Sequence, residues 1–178
     1  MIYLIYGASG SGKSAFAEKV LEGLPGEKKY YIATMLANEN DADAQKKIER
    51  HKKLREGKGF ETIERPKDLQ GIGGLQGVGG SALLECMSNL CANEMFAVEG
   101  GLEKSESQLA DKILAGIKSL TSIFENLVIV SNNVFEDGIE YDEATQKYMR
   151  LLGNLNCQLA AISDKVYEVI AGIPVEIK

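Results

Sequence analysis

Gly7-Ala8-Ser9-Gly10-Ser11-Gly12-Lys13-Ser14 follows directly on Ile2-Tyr3-Leu4-Ile5-Tyr6, an apolar, β-branched and aromatic run with the character of a buried strand. The spacing Gly7-x4-Gly12-Lys13-Ser14 is that of a P-loop. A glycine-rich turn lets successive backbone N–H groups converge on phosphate oxygens without a Cβ in the way. Lys13 is then expected to reach the β and γ phosphates, and Ser14 to offer a hydroxyl to Mg2+. The helix that starts here, Ser14 to Leu21, aims its positive end at the same anion.

Downstream, apolar runs alternate with amphipathic ones. Strand character is found at 29–34, 60–64, 81–86, 127–132, 166–172 and 173–177, the last two as a hairpin. Helical spacing of apolar residues is found at 87–98, at about 107–124 and at about 142–163. Residues 38–55 read as a polar, charged helix with few core contacts, and glycine-rich 70–80 as a loosely ordered loop. Strands alternating with helices and opening on a P-loop predict an α/β fold. It is a three-layer P-loop NTPase-like domain with a mostly parallel sheet and an antiparallel C-terminal edge.

The 178 residues, 44% of them hydrophobic, suffice for one substantial core, so residues 1–178 are read as a single nucleotide-binding domain. Twenty basic against 26 acidic residues leave a net charge of −6, which argues against nucleic acid or anionic membrane as partners held by field alone. Cys86, Cys91 and Cys157 are odd in number and lack CxxC spacing, so reduced, mostly packed thiols are expected. With no basic leader and no long apolar segment in the sequence, neither a signal peptide nor a membrane span is expected, and the location is read as cytoplasmic.

Two further side chains carry chemistry. Glu85 closes the run Leu83-Leu84-Glu85, where a P-loop site needs a second oxygen ligand near Mg2+; a solvated acid at a strand end is the plainer alternative. His51, the only histidine, lies among Arg50, Lys52, Lys53 and Arg55. Those cations disfavour the imidazolium and suit an imidazole that attacks phosphorus, while an exposed helical histidine on a solvated face remains the alternative.

In combination these pieces resemble the bifunctional adenosylcobinamide kinase/adenosylcobinamide-phosphate guanylyltransferase family of cobalamin biosynthesis. The resemblance is carried by the P-loop, Tyr31-Ile32-Ala33-Thr34, Ile48-x-x-His51 with Arg55, Thr62-x-Glu64 and Leu84-Glu85-Cys86 followed by Asn93. Val130-x-Asn132, Gly153-x-x-Asn156 and Val169-x-x-Gly172-Ile173-Pro174 complete it. It implies phosphorylation of adenosylcobinamide by ATP or GTP, then transfer of GMP from GTP through a histidine, matched by His51, to give adenosylcobinamide-GDP. Catalysis would fall to His51 and Lys13. The nucleotide would be held by Gly7, Ala8, Ser9, Gly10, Ser11, Gly12, Lys13 and Ser14, with Thr34, Met35, Leu36, Lys52, Lys53, Leu54, Arg55, Glu64 and Glu85. Mg2+ would lie at Ser14 and Glu85, and the assembly would be a homotrimer.

The chain also departs from the family pattern. Asn133 and Phe135 stand where a Glu and a Gly are usual, and Gln146-Lys147-Tyr148-Met149-Arg150 replaces an arginine-rich run. Two alternatives follow from these departures: a single-activity kinase of another small molecule, and a nucleotide-binding regulatory subunit without catalysis.

Overall fold

The computed structural model describes residues 1–36, 46, 49, 53, 57–75, 79–96, 105–135 and 138–178. Seven strands form one sheet: β1 (Ile2–Tyr6), β2 (Lys29–Ala33), β3 (Phe60–Glu64), β4 (Ser81–Glu85), β5 (Asn126–Val130), β6 (Lys165–Ile170) and β7 (Ile173–Glu176). Their order is β3-β2-β4-β5-β1-β6-β7. Every pairing is parallel except β6 with β7, which gives the expected antiparallel C-terminal edge.

β5 has all five residues buried, as the apolar run Leu127-Val128-Ile129-Val130 must be when helices cover both faces of a parallel sheet, and its buried Asn126 donates to the Ser81 hydroxyl at 3.1 Å. One face carries α1 (Lys13–Gly23), whose Ala17 and Leu21 pack with Ile5, Val128, Val130 and Val169. The opposite face carries α2 (Met87–Met95), α3 (Glu106–Ile123) and α4 (Glu143–Ile162) over a larger core that includes Leu4, Leu84, Ile129, Ile117 and Leu155.

The helix ends are set by local chemistry. Ser105 and Gln108 form a reciprocal capping box at the start of α3, and the Asp142 carboxylate accepts the Thr145 N–H at 2.8 Å at the start of α4. Such a cap is worth about 1 kcal/mol. α1 differs. It begins at Lys13, one residue earlier than its sequence suggests, on a left-handed Gly12, with no side-chain cap and no acid in its first turn.

The glycine-rich stretch is where structure and sequence part. Leu69–Leu75 is a 3-10 helix rather than a loose loop. Leu69 and Ile72, three apart and therefore on one side of such a helix, are both buried. Leu69 packs where α3 presents Gly116: a Cβ there would come within 2.8 Å of the Leu69 Cβ, so the close approach needs the glycine. Nearby, buried Glu94 accepts from Lys112 at 2.6 Å and from the Asp68 N–H at 2.7 Å, which joins α2, α3 and the entry to the 3-10 helix.

Helix α2 ends at Met95, short of the expected Val98, and residues 97 and 98 lie outside the described set. The same holds for most of the expected polar helix at 38–55, of which Lys46, Glu49 and Lys53 are described as helical and exposed. Cys86 and Cys91 are buried and Cys157 is exposed, all as free thiols. Burial pushes the first two up, Cys91 to about 12, which leaves both unreactive. Among the described residues no helix is long and apolar enough to cross a membrane.

Candidate active site

The site is built where β1 hands over to α1. Gly7 has no room for a side chain, because a Cβ would lie 2.5 Å from the Val169 carbonyl oxygen and 2.7 Å from the Ser11 hydroxyl. Gly10 and Gly12 sit at φ +73° and +93°, where a Cβ is strained, so the loop curls back on itself. The Ser11 N–H bonds the Ala8 carbonyl at 3.1 Å inside that curl. The first N–H groups of α1 open into it.

Lys13 is nearly buried and its ammonium donates to the Ala8 carbonyl at 3.1 Å. Burial lowers its pKa, with Cys86 and the Glu85 carboxylate opposing that shift. Ser14 donates its hydroxyl to Glu85 Oε1 at 2.5 Å, across 71 residues of sequence. In the sheet, β4 is separated from β1 by β5, so an acid at the end of β4 is two strands from the loop and on the side that α1 covers.

Glu85 is therefore not a solvated acid. Burial raises its pKa; the Ser14 bond, the Lys13 charge and Tyr31 work against this, and Glu18 adds to it. Among the described residues, its second oxygen, Oε2, and the Ser11 hydroxyl are buried with no hydrogen-bond partner. Buried polar atoms are ordinarily satisfied, so both atoms have hydrogen-bonding or ligating capacity left for a further group.

The other residues expected at the site are spread along the same carboxyl edge of the sheet. Ala33, the last residue of β2, registers with Glu85 on one side and Glu64 on the other, so the two carboxylates are two strand spacings apart, roughly 10 Å between Cα atoms. Glu64 is exposed, Met35 half-buried and Leu36 exposed, while Thr34 is fully buried. Lys53 is exposed. His51, Lys52, Leu54 and Arg55 lie outside the described residues. Close by, Lys58 is hydrogen-bonded to Glu18 of α1, one helical turn beyond Ser14 on the same face.

Several residues that are only signposts in the sequence acquire contacts here. Asn93 donates to the carbonyls of Thr34 at 2.7 Å and Pro66 at 2.9 Å. Asn132 donates to the Ser88 hydroxyl at 2.5 Å, and Asn156 accepts from Ser131 at 2.5 Å. Asn133 donates its N–H to the Gly7 carbonyl at 2.9 Å, and Gly172 donates its own to the Ser11 carbonyl at 2.8 Å. The sequence signal for this framework is a set of short polar residues just past the ends of apolar strands, a pattern that turns and surface loops share.

A glycine loop between a buried strand and an uncapped helix, with Lys and Ser at the helix start and a buried acid on the serine, defines a P-loop nucleotide-binding α/β protein. An ATPase from the type III secretion system of pathogenic bacteria shares the fold, with a TM-score of 0.51 at 10% identity over 98% of this chain and 56% of that one. The chain belongs to the cobinamide kinase / cobinamide phosphate guanyltransferase family, whose profile matches residues 3–177. Among curated relatives, the bifunctional adenosylcobalamin biosynthesis protein CobU of Escherichia coli is 28% identical, and its Salmonella typhimurium counterpart also 28%, each over the full length of both chains. The family is one of enzymes, with kinase and nucleotidyltransferase chemistry.

Proposed function

We propose that this chain phosphorylates adenosylcobinamide with ATP or GTP and then joins GMP from GTP to the phosphate it has made. The observation that carries the reading is the Ser14–Glu85 hydrogen bond at the mouth of a complete P-loop, in a chain of this family. Residues 1–178 act as one functional unit, and the resemblance supports a cytoplasmic homotrimer.

In the first step the loop N–H groups and Lys13 hold the polyphosphate while the substrate hydroxyl attacks the γ-phosphorus. The bond to the β–γ bridging oxygen breaks and the diphosphate leaves. Ser14 and Glu85 suit Mg2+, a hard cation that takes hydroxyl and carboxylate oxygens, and Glu85 Oε2, which has no partner among the described residues, is an oxygen that would be available to such an ion. Bound there, it would neutralise charge on the β and γ phosphates.

In the second step a ring nitrogen of His51 attacks the α-phosphorus of GTP. A P–N bond forms, the α–β bridging bond breaks and pyrophosphate departs. A substrate phosphate oxygen then attacks the same phosphorus and releases the histidine. Arg50, Lys52, Lys53 and Arg55, neighbours of His51 in the sequence, would offset charge on the departing group. Met35, Leu36, Glu64, Lys52, Lys53, Leu54 and Arg55 belong to this guanylyl site.

Incubation with α-labelled GTP tests the reading. Acid-labile, base-stable label on the protein, absent in His51→Ala, is the expected result. Cobinamide phosphorylation without such label would reduce the chain to a single-activity kinase, and nucleotide binding without cobinamide-dependent turnover would leave a regulatory subunit.

A further inference from the structure

The resemblance implies that Thr34 touches the nucleotide, yet each of its polar atoms is engaged inside the protein. Its hydroxyl accepts from the Cys86 N–H at 2.7 Å and donates to the Cys86 carbonyl at 2.8 Å. Its N–H donates to the Glu85 carbonyl at 3.0 Å, and its carbonyl accepts from Asn93 at 2.7 Å. The side chain is fully buried.

β2 and β4 both end one residue earlier, at Ala33 and Glu85. Beyond those ends the regular ladder stops, and a single hydroxyl takes over both main-chain groups of the residue after Glu85. The Leu90 N–H also bonds the Cys86 carbonyl at 3.1 Å and Ser88 meets its thiol at 3.0 Å, which ties Cys86 to α2; the Thr34 hydroxyl is what ties it back to β2 and holds its N–H. A pivot there swings the Glu85 side chain, which must stay within 2.5 Å of the Ser14 hydroxyl. Asn93 fixes Thr34 in turn by bridging its carbonyl to that of Pro66, so the clamp is anchored from α2 as well as from β2.

We infer that Thr34 is a positioning residue: through Cys86 it holds the Glu85 carboxylate on Ser14, and it acts on metal-linked nucleotide binding without contacting the nucleotide. The inference rests on the proposal that Ser14 and Glu85 take Mg2+. Threonine is suited to the task because its hydroxyl is donor and acceptor at once, while its methyl group fills the same buried position.

The test is ATP binding by titration calorimetry with and without Mg2+ on the full chain, for wild type, Thr34→Val and Thr34→Ser. Valine keeps the shape and removes the hydroxyl; serine keeps the hydroxyl. Wild type is expected to bind more tightly with Mg2+. Thr34→Val should lose roughly 10-fold to 100-fold of that gain, the range typical of residues that orient a metal ligand, with metal-free affinity unchanged. Thr34→Ser should restore the gain. A full Mg2+ gain in Thr34→Val overturns the inference alone. Weakened metal-free binding in that variant also overturns it, because Thr34 would then be a direct contact. Absence of a Mg2+ gain in wild type overturns the Ser14–Glu85 reading and this inference with it. Should Thr34→Val fail to fold, Thr34→Cys, which keeps nearly the same volume with a much weaker donor and acceptor, carries the same expectation, and a full Mg2+ gain in it overturns the inference equally.

Discussion

Gly172 donates its N–H to the Ser11 carbonyl at 2.8 Å, and its Cα lies 3.3 Å from where a Cβ on Gly12 would stand. The turn of the last hairpin is thus the floor on which the phosphate loop rests. It has φ +49° at Ala171 and +82° at Gly172, the two-residue geometry that matches strand twist. The glycine of the Gly172-Ile173-Pro174 motif is explained by this contact and by its positive φ.

Ala171 is a poor choice for a left-handed position, which costs a Cβ-bearing residue about 1–2 kcal/mol. Asn tolerates that region and favours this turn. Ala171→Asn is expected to stabilise the protein by about 1 kcal/mol, raising Tm by roughly 2–4 °C, with nucleotide affinity unchanged. Thermal melts and calorimetry check both halves; a fall in Tm contradicts the turn geometry.

Gly7→Ala should do the opposite. The new methyl group would collide with the Val169 carbonyl at 2.5 Å, a backbone atom that cannot step aside without moving β6. A loss of about 1–3 kcal/mol and a marked loss of ATP affinity are expected, in the range of overpacking elsewhere. Chemical denaturation and ATP titration measure them, and wild-type values in both would exclude the collision.

Glu85→Gln separates burial from function. Burial raises the folded-state pKa of Glu85 above its ordinary 4.5, so the native protein holds that proton more tightly than the unfolded chain. The stability this gives is complete below pH 4.5 and is lost as pH rises through the folded-state value. The glutamine variant has no such proton. Without divalent metal, its Tm is expected to gain on wild type as pH rises from 4.5 through the folded-state value, while metal-linked ATP binding is lost. A constant Tm difference across that window would show a Glu85 already ionised at low cost.

Lys13→Ala removes the only charge that the loop carries toward the β and γ phosphates. Cobinamide phosphorylation should fall roughly 100-fold to 1,000-fold, as when one preorganised donor is lost from a transition state. Steady-state rates with ATP read this directly, and wild-type turnover would remove Lys13 from the chemistry.

How far the sequence reveals this molecule depends on how local each signal is. Ile2 to Ser14 is local in every respect: a buried strand, glycines where φ must be positive, and a lysine and serine at a helix start. β5 and the two long helices α3 and α4 are legible for the same reason, through consecutive or periodic apolar residues. Glu85 is half-legible: its position at a strand end is visible, but the bond to Ser14 depends on strand order, which no local pattern encodes. Leu69–Leu75 is misread because six glycines between 70 and 80 outweigh Leu69 and Ile72, and the place that Leu69 takes depends on Gly116, far along the chain. Thr34, Asn93 and Gly172 act through partners 52, 59 and 161 residues away; the last figure is the interval from Ser11 to Gly172. Their meaning appears only when the strands are side by side.

The bond from the Lys13 ammonium to the Ala8 carbonyl has one more effect. An incoming polyphosphate competes with the loop's own oxygen for that cation, so affinity measures an exchange of one acceptor for another. A loop that supplies its lysine with a provisional oxygen keeps a nearly buried charge tolerable between turnovers.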